Sequence, residues 1–290
     1  MCVVQITDTH ISRLPGPQFD GVDTSLTLRT VLDAILARVR APDLVLLTGD
    51  LVDEPSIEAY GRLRTLLGAV SVPIFCLPGN HDEPRMLREQ MHAAHISTPG
   101  VVDVDRWRIV LLDDWIPDSS GGRLAAVELE RLRSALEEAE DRPVLLAVHH
   151  APLSIGSPWM DAMGMENSGQ LFDVIDGFTN VRALICGHIH QEFLADRNGV
   201  ALLGAPSTCV QFMPGATEYE VEAMAPGYRE LLLLADGQFT ARVVRVPVPA
   251  RGRAPGNRKG VESGPASTGI RRPASPQVGS GRDAPEGEEA

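Results

Sequence analysis

Seven side chains of the kind that bind metal ions stand just past the ends of apolar runs in this chain, and that placement limits the fold more than any other feature. Asp8 and His10 follow a run at residues 3–7, Asp50 one at 44–48, Asn80 one at 73–77, His149 one at 144–148, and His188 and His190 one at 183–186. A further apolar run lies at 108–112. These runs are continuous rather than alternating, as expected for strands covered on both faces. Between them, residues 24–40, 56–68, 83–94, 123–139 and 166–178 carry apolar side chains at threes and fours, the spacing of amphipathic helices. Alternating buried strands and helices predict an α/β fold with its ligands on loops at strand carboxyl ends, where such folds place their chemistry.

After His190 the pattern changes to short strands at 192–196, 200–203, 230–235 and 239–246, with Asp236-Gly237 reading as a hairpin turn. Two packed mixed sheets flanked by helices follow from this order. One domain, residues 1–246, accounts for the apolar patterning. Residues 247–290 are rich in Pro, Gly, Arg and Ser with almost no large apolar residue, so this tail is predicted to stay disordered.

The net charge of −13 lies in the domain, because the tail carries a slight excess of Arg and Lys over Asp and Glu. An acidic body argues against a broad nucleic-acid surface, which depends on clustered Lys and Arg to displace counterions. No apolar run is long enough for a transmembrane segment. The first strand-like run begins right after Met1 and leaves no room for a targeting segment, so a cytoplasmic location is expected. Cys2, Cys76, Cys186 and Cys209 lie far apart without a Cys-x-x-Cys spacing, which favours buried free thiols.

The ligands come in short words: Asp8-Thr9-His10, Gly49-Asp50, Gly79-Asn80-His81-Asp82, His149-His150-Ala151-Pro152 and Gly187-His188-Ile189-His190. Residues two apart on a strand share a face, so Asp8/His10 and His188/His190 each form a two-toothed clamp. A bare Asp-x-His arises by chance in roughly a third of chains this long, Gly-His-x-His in about one in a hundred and Gly-Asn-His-Asp in about one in a thousand. Their joint occurrence points to a metal centre. Four His, two Asp and one Asn without Cys suit divalent Fe, Mn, Co or Zn better than Mg.

The order of these words resembles that of the calcineurin-like metallophosphoesterases over residues 1–246. The resemblance implies a four-layer α/β/β/α sandwich of two mixed sheets, commonly a homodimer, holding two divalent metal ions. Asp8, His10 and His190 would hold one ion, Asn80, His149 and His188 the other, and Asp50 would bridge them. The words and their spacing look most like the branch of class III cyclic-nucleotide phosphodiesterases and glycerophosphodiester phosphodiesterases. The implied substrate is a small phosphodiester, with cyclic AMP preferred and a glycerophosphodiester as alternative. A nuclease would need a basic groove, and a non-catalytic scaffold would be expected to have lost ligands. Two positions depart from family patterns: His149-His150-Ala151-Pro152 replaces His-His-Pro-Pro, and Asp53 stands where purple acid phosphatases carry the ferric-ion tyrosine.

His81 follows a ligand and is placed over the metals, where it would protonate the leaving alkoxide as the catalytic acid. Asn80, His81, His150 and His190 are the candidate substrate contacts. Of the adjacent pair, His149 is taken as the ligand because it is the first polar residue after its strand, which leaves His150 to support a ligand or to touch substrate. Asp82 is expected to orient a neighbouring His or a loop amide. Gly79 and Gly187 precede ligands where a side chain would crowd the site. His92 and His95 read as a solvated helix face, and Trp159, Met160, Met163 and Met165 as packing or a substrate cap.

Overall fold

The computed structural model describes residues 1–248 together with 270–271. In chain order the elements are β1 (Cys2–Ile6), α1 (Thr24–Leu36), β2 (Leu44–Thr48), α2 (Ile57–Leu67), β3 (Ile74–Leu77), α3 (Pro84–Gln90), β4 (Ile96–Ser97), β5 (Val101–Val104) and β6 (Trp107–Leu111). They continue with α4 (Ala126–Ala139), β7 (Val144–Ala147), α5 (Pro158–Asp161), α6 (Ser168–Ile175), β8 (Val181–Cys186), β9 (Phe193–Arg197) and β10 (Val200–Gly204). The last are β11 (Gln211–Phe212), β12 (Val221–Glu222), β13 (Gly227–Leu233), β14 (Phe239–Arg245) and β15 (Ile270–Arg271).

Two mixed sheets form the body, ordered β15-β14-β13-β1-β2-β3-β4 and β5-β6-β7-β8-β10-β9. Strands β1 to β4 are parallel, as are β6, β7, β8 and β10, while β13, β14, β5 and β9 add antiparallel edges. The period-2 alternation of strand side chains sorts them into three cores. Val4, Ile6, Val45, Leu47 and Cys76 face α1, α2 and α3, and Val110, Leu146, Leu184 and Leu202 face α4 and α6. Val3, Leu46, Leu145, Ile185 and Leu231 meet between the sheets. Three cores between four layers give the expected α/β/β/α sandwich. Each central strand buries both faces, which explains why the apolar runs do not alternate.

The predicted strands are all present, and the hairpin is confirmed by β13 pairing β14 around Gly237, whose φ is +82°. All five helices are shorter than predicted, α2, α3 and α6 at both ends. Helix α1 stops at Leu36 instead of residue 40, where the last turn tightens as Arg38 N–H bonds to Ile35 O at 3.4 Å. Helix α3 ends at Gln90 because the chain turns to pair β4 with β3, so His92 and His95 lie off the helix. Helix α4 starts at Ala126 because the preceding amides bond to the segment before α6, Gly122 N–H to Gly164 O and Leu124 N–H to Asn167 Oδ1. The edge strand β5 escaped notice because Asp103 interrupts its apolar run.

All four cysteines are free and buried, as expected. Among the described residues no helix is long and apolar enough to cross a membrane. The tail expectation for residues 247–290 falls almost wholly outside the described residues. Ile270 and Arg271 pair with Ala241 and Thr240 of β14.

Candidate metal centre

Each ligand loop leaves the carboxyl end of a parallel strand, and the strand pairing fixes which loops meet. Beyond β1 and β2 the pairing runs on into the loops, with Asp8 N–H on Gly49 O at 3.0 Å and His10 N–H on Asp50 O at 3.0 Å. Asp8, His10, Asp50, His188 and His190 all adopt positive φ, between 41° and 66°. The left-handed region costs a non-glycine residue roughly 1–3 kcal/mol. Five such residues in one place mark strain held by a site. The glycines beside them have no alternative: a Cβ on Gly79 would lie 2.3 Å from Asp50 Oδ1, and one on Gly187 2.1 Å from Thr7 Oγ1.

All seven predicted ligands converge. On one side His10 Nε2 faces His190 Nε2 at 3.2 Å, and His190 Nε2 lies 3.3 Å from Asp8 Oδ1. On the other, His149 Nε2 lies 3.2 Å from Asn80 Oδ1, and the His149 and His188 rings meet edge to face at 5.2 Å. Asp50 stands between, with Oδ1 3.3 Å from His149 and Oδ2 3.6 Å from His10. One carboxylate thus presents one oxygen to each half. Asp8, His10, Asp50, His149, His188 and His190 are buried, and only Asn80 is partly exposed.

The donor chemistry fits cations. His149 Nδ1–H donates to Thr48 O at 2.8 Å and His190 Nδ1–H to Val210 O at 3.0 Å, so each Nε2 turns a lone pair inward. This is the tautomer that backbone carbonyls impose on metal-binding imidazoles. Burial pulls His149 and His190 down, yet Asp50 beside the first and Asp8 beside the second outweigh it and push both up to about 10. Burial holds His10 and His188 well below the ordinary value, reinforced by the neighbouring imidazoles. The carboxylates therefore attract positive charge, and four crowded imidazoles cannot all supply it as protons. Bound cations would resolve both demands.

His81 sits at the open edge with 35% of its side chain exposed. Its amide donates to Asp50 Oδ1 at 2.9 Å and its Nδ1–H to Asp53 O at 2.8 Å. Burial lowers its pKa, but Asp50 and the Asp53 carbonyl outweigh that and raise it above the ordinary histidine value. Asp53 thus has a part the sequence left unassigned. Asp82 orients amides rather than a His, accepting from Gly79 N at 2.9 Å and Leu51 N at 3.1 Å, with the Tyr60 hydroxyl on its other oxygen at 2.9 Å.

His150 is fully buried behind His149 and His188, which favours the supporting part over substrate contact. Its Nδ1 bonds Asp114, a buried residue that the sequence reading passed over. The strand-end rule would have found it, since Asp113-Asp114 follows the run at 108–112.

Also missed were the aromatic walls. Phe19 stacks on His10 at 4.3 Å and Phe212 on His190 at 4.0 Å, with Tyr219 reaching Asp20 across the two loops. Cys209 brings its Sγ within 4.8 Å of His10 and His190 nitrogens. Trp159 packs on Phe212, and Met160 and Met165 are buried in the core against α4 and α6, so this segment is packing.

Comparison with known proteins agrees with this geometry. The chain is 38% identical over 244 residues to a 3',5'-cyclic adenosine monophosphate phosphodiesterase of Pseudomonas aeruginosa, covering 84% of this chain and 89% of that one. It is 36% identical over 245 residues to a 3',5'-cyclic-nucleotide phosphodiesterase of Nostoc, covering 84% and 92%. A solved dimetal phosphatase from Danio rerio superposes with a TM-score of 0.62 at 14% identity, covering 85% of this chain and 96% of that one, and so shares the fold. A profile of the calcineurin-like phosphoesterases matches residues 1–192, and the chain belongs to that family.

Proposed function

We propose that this chain is a dinuclear metal-dependent phosphodiesterase that hydrolyses 3',5'-cyclic AMP, with residues 1–246 as its catalytic domain. The observation that carries the reading is Asp50, whose two oxygens face two separate donor clusters. The substrate rests on the names of relatives 36–38% identical over most of the chain. Asp8, His10 and His190 would hold one ion and Asn80, His149 and His188 the other, with Asp50 shared. When bound, the ions, Fe, Mn, Co or Zn, would supply Lewis acidity and lower the pKa of a water molecule.

The protein's own residues do the rest. The Asp53 carbonyl accepts a hydrogen bond from His81 Nδ1–H, which leaves Nε2 of the protonated ring to donate to the departing ribose oxygen. Asn80 and His81 are the partly exposed members of the site and the first to meet the phosphate. Asp82 holds the Gly79 and Leu51 amides and so keeps Asn80 and Asp50 on their turns. Four buried free cysteines accord with a cytoplasmic enzyme. Light scattering of the full chain tests the homodimer implied by the family.

A substrate panel on metal-loaded protein tests the reading. Cyclic AMP should be cleaved by protein holding two ions per chain and spared after chelation. Cleavage of glycerophosphodiesters alone, or full activity with one ion, would overturn it.

A further inference from the structure

Tyr219 is half-exposed, yet its ring is held from two sides. It lies in the loop of the β11–β12 ribbon, which Met213 N–H closes on Glu220 O at 2.8 Å, and Gly215 N–H fastens that loop to Ser157 Oγ at 2.8 Å. From the other side the Tyr219 hydroxyl donates to Asp20, 199 positions away. An exposed aromatic side chain is ordinary on a surface. One that two distant segments fix in place is prepared for contact, because a preorganised ring loses little entropy on binding.

Its place in the site gives that contact a partner. Phe212 lies flat on His190 at 4.0 Å, and Tyr219 follows Phe212 at 5.4 Å. Asp20 follows Phe19 in the chain, Phe19 stacks on His10 at 4.3 Å, and His81 meets the same His10 ring at 4.7 Å. The Tyr219–Asp20 contact therefore bridges the walls on His10 and His190, one aromatic ring outward from the imidazoles. A ribose sets a base apart from its cyclic phosphate by a similar reach. Phe212 and Trp159 meet Tyr219 at interplanar angles of 66° and 77°, so neither lies flat on it. A fixed, half-exposed ring at that distance suits a nucleobase, because every base has a π-face to stack.

We propose that Tyr219 is a specificity-determining residue that stacks on the purine base of the substrate. The inference rests on the cyclic-nucleotide reading and deepens it by naming where the base is read. Stacking of this kind tells a base from no base, not adenine from guanine.

Tyr219→Leu in the full, manganese-loaded chain tests it. KM for cyclic AMP should rise about 5–100-fold with kcat nearly unchanged. Methyl riboside 3',5'-cyclic phosphate, which has the same phosphate and sugar without a base, should react as it does with the wild type. Tyr219→Phe keeps the face and loses only the bond to Asp20, so it should restore most of the affinity. An unmoved KM for cyclic AMP in the Leu variant would overturn the stack. So would equal losses on both substrates in a variant that melts like the wild type, or a Phe variant as weak as the Leu variant. Calorimetry on the wild type needs no variant to fold: adenosine 5'-monophosphate should bind at least about fivefold more tightly than ribose 5-phosphate, and equal binding would overturn the stack. Wild-type protein that cleaves neither cyclic substrate would instead fail the parent reading, and the calorimetric comparison would still decide the stack.

Discussion

The two sides of the metal centre are built differently. Where Asp8, His10 and His190 meet, Phe19 and Phe212 lie flat on the two imidazoles, and the ligands are at most 1% exposed. Where Asn80 stands, the wall is missing, and the neighbouring His81 keeps 35% of its side chain in the opening. Apolar rings lower the local dielectric and keep water off, which strengthens charge interactions. The open side gives up that gain for access. On the proposed reading both halves would hold an ion, and the opening beside Asn80 and His81 is where a diester would enter.

Asp50 joins the halves, so its loss should break the comparison altogether. Asp50→Ala should lower turnover on the order of a thousandfold or more and reduce metal uptake at both sites. It should be worse than Asp8→Ala, which touches one half. Elemental analysis beside steady-state kinetics checks this, and a variant retaining both ions would refute the bridging role.

His81→Ala probes the opening, where the His81 ring meets His10 edge to face at 4.7 Å. Turnover should fall about a hundredfold with metal content intact, the range for losing a general acid. The loss should be larger for cyclic AMP than for a nitrophenyl diester, whose leaving group needs no proton. Equal losses on both would show that His81 binds phosphate instead.

Phe212→Ala probes the sealed side. Removing a ring that is 7% exposed and stacked on His190 should cost about 3 kcal/mol of stability in denaturant melts. It should also weaken one metal equivalent more than the other. Unchanged melting would mean that the wall is ornamental.

The smallest effect concerns the support shared by both halves. Tyr60→Phe deletes the hydroxyl that meets buried Asp82 at 2.9 Å and should cost about 1–2 kcal/mol. Burial already pushes Asp82 up to about 6, with Asp50 adding to it. Metal content should not change, because the Gly79 and Leu51 amides still hold the carboxylate. Loss of an ion in this variant would show that Tyr60 holds the ligand loop directly.

The sequence by itself determined the layers and singled out the seven candidate ligands. Continuous apolar runs of about five residues read as strands buried on both faces, and a polar residue just past such a strand falls at the sheet's carboxyl edge. Those constraints are local, so they can be read from the order of residues. What the sequence did not carry depends on distant segments meeting. Asp114 reaches His150 across 36 positions, and Phe212 covers His190 from a strand of two residues with no periodic pattern. Helix ends shifted for the same reason: Gly122 and Leu124 bond to residues 164 and 167, and β4 draws the chain away from α3. The sequence could prefer His149 over His150 only by its place at the strand end, and the tertiary structure supplies the physical difference between them. Both stand at one strand end, and it is the placement of Asp50 and Asn80 before one and Asp114 behind the other that separates ligand from support.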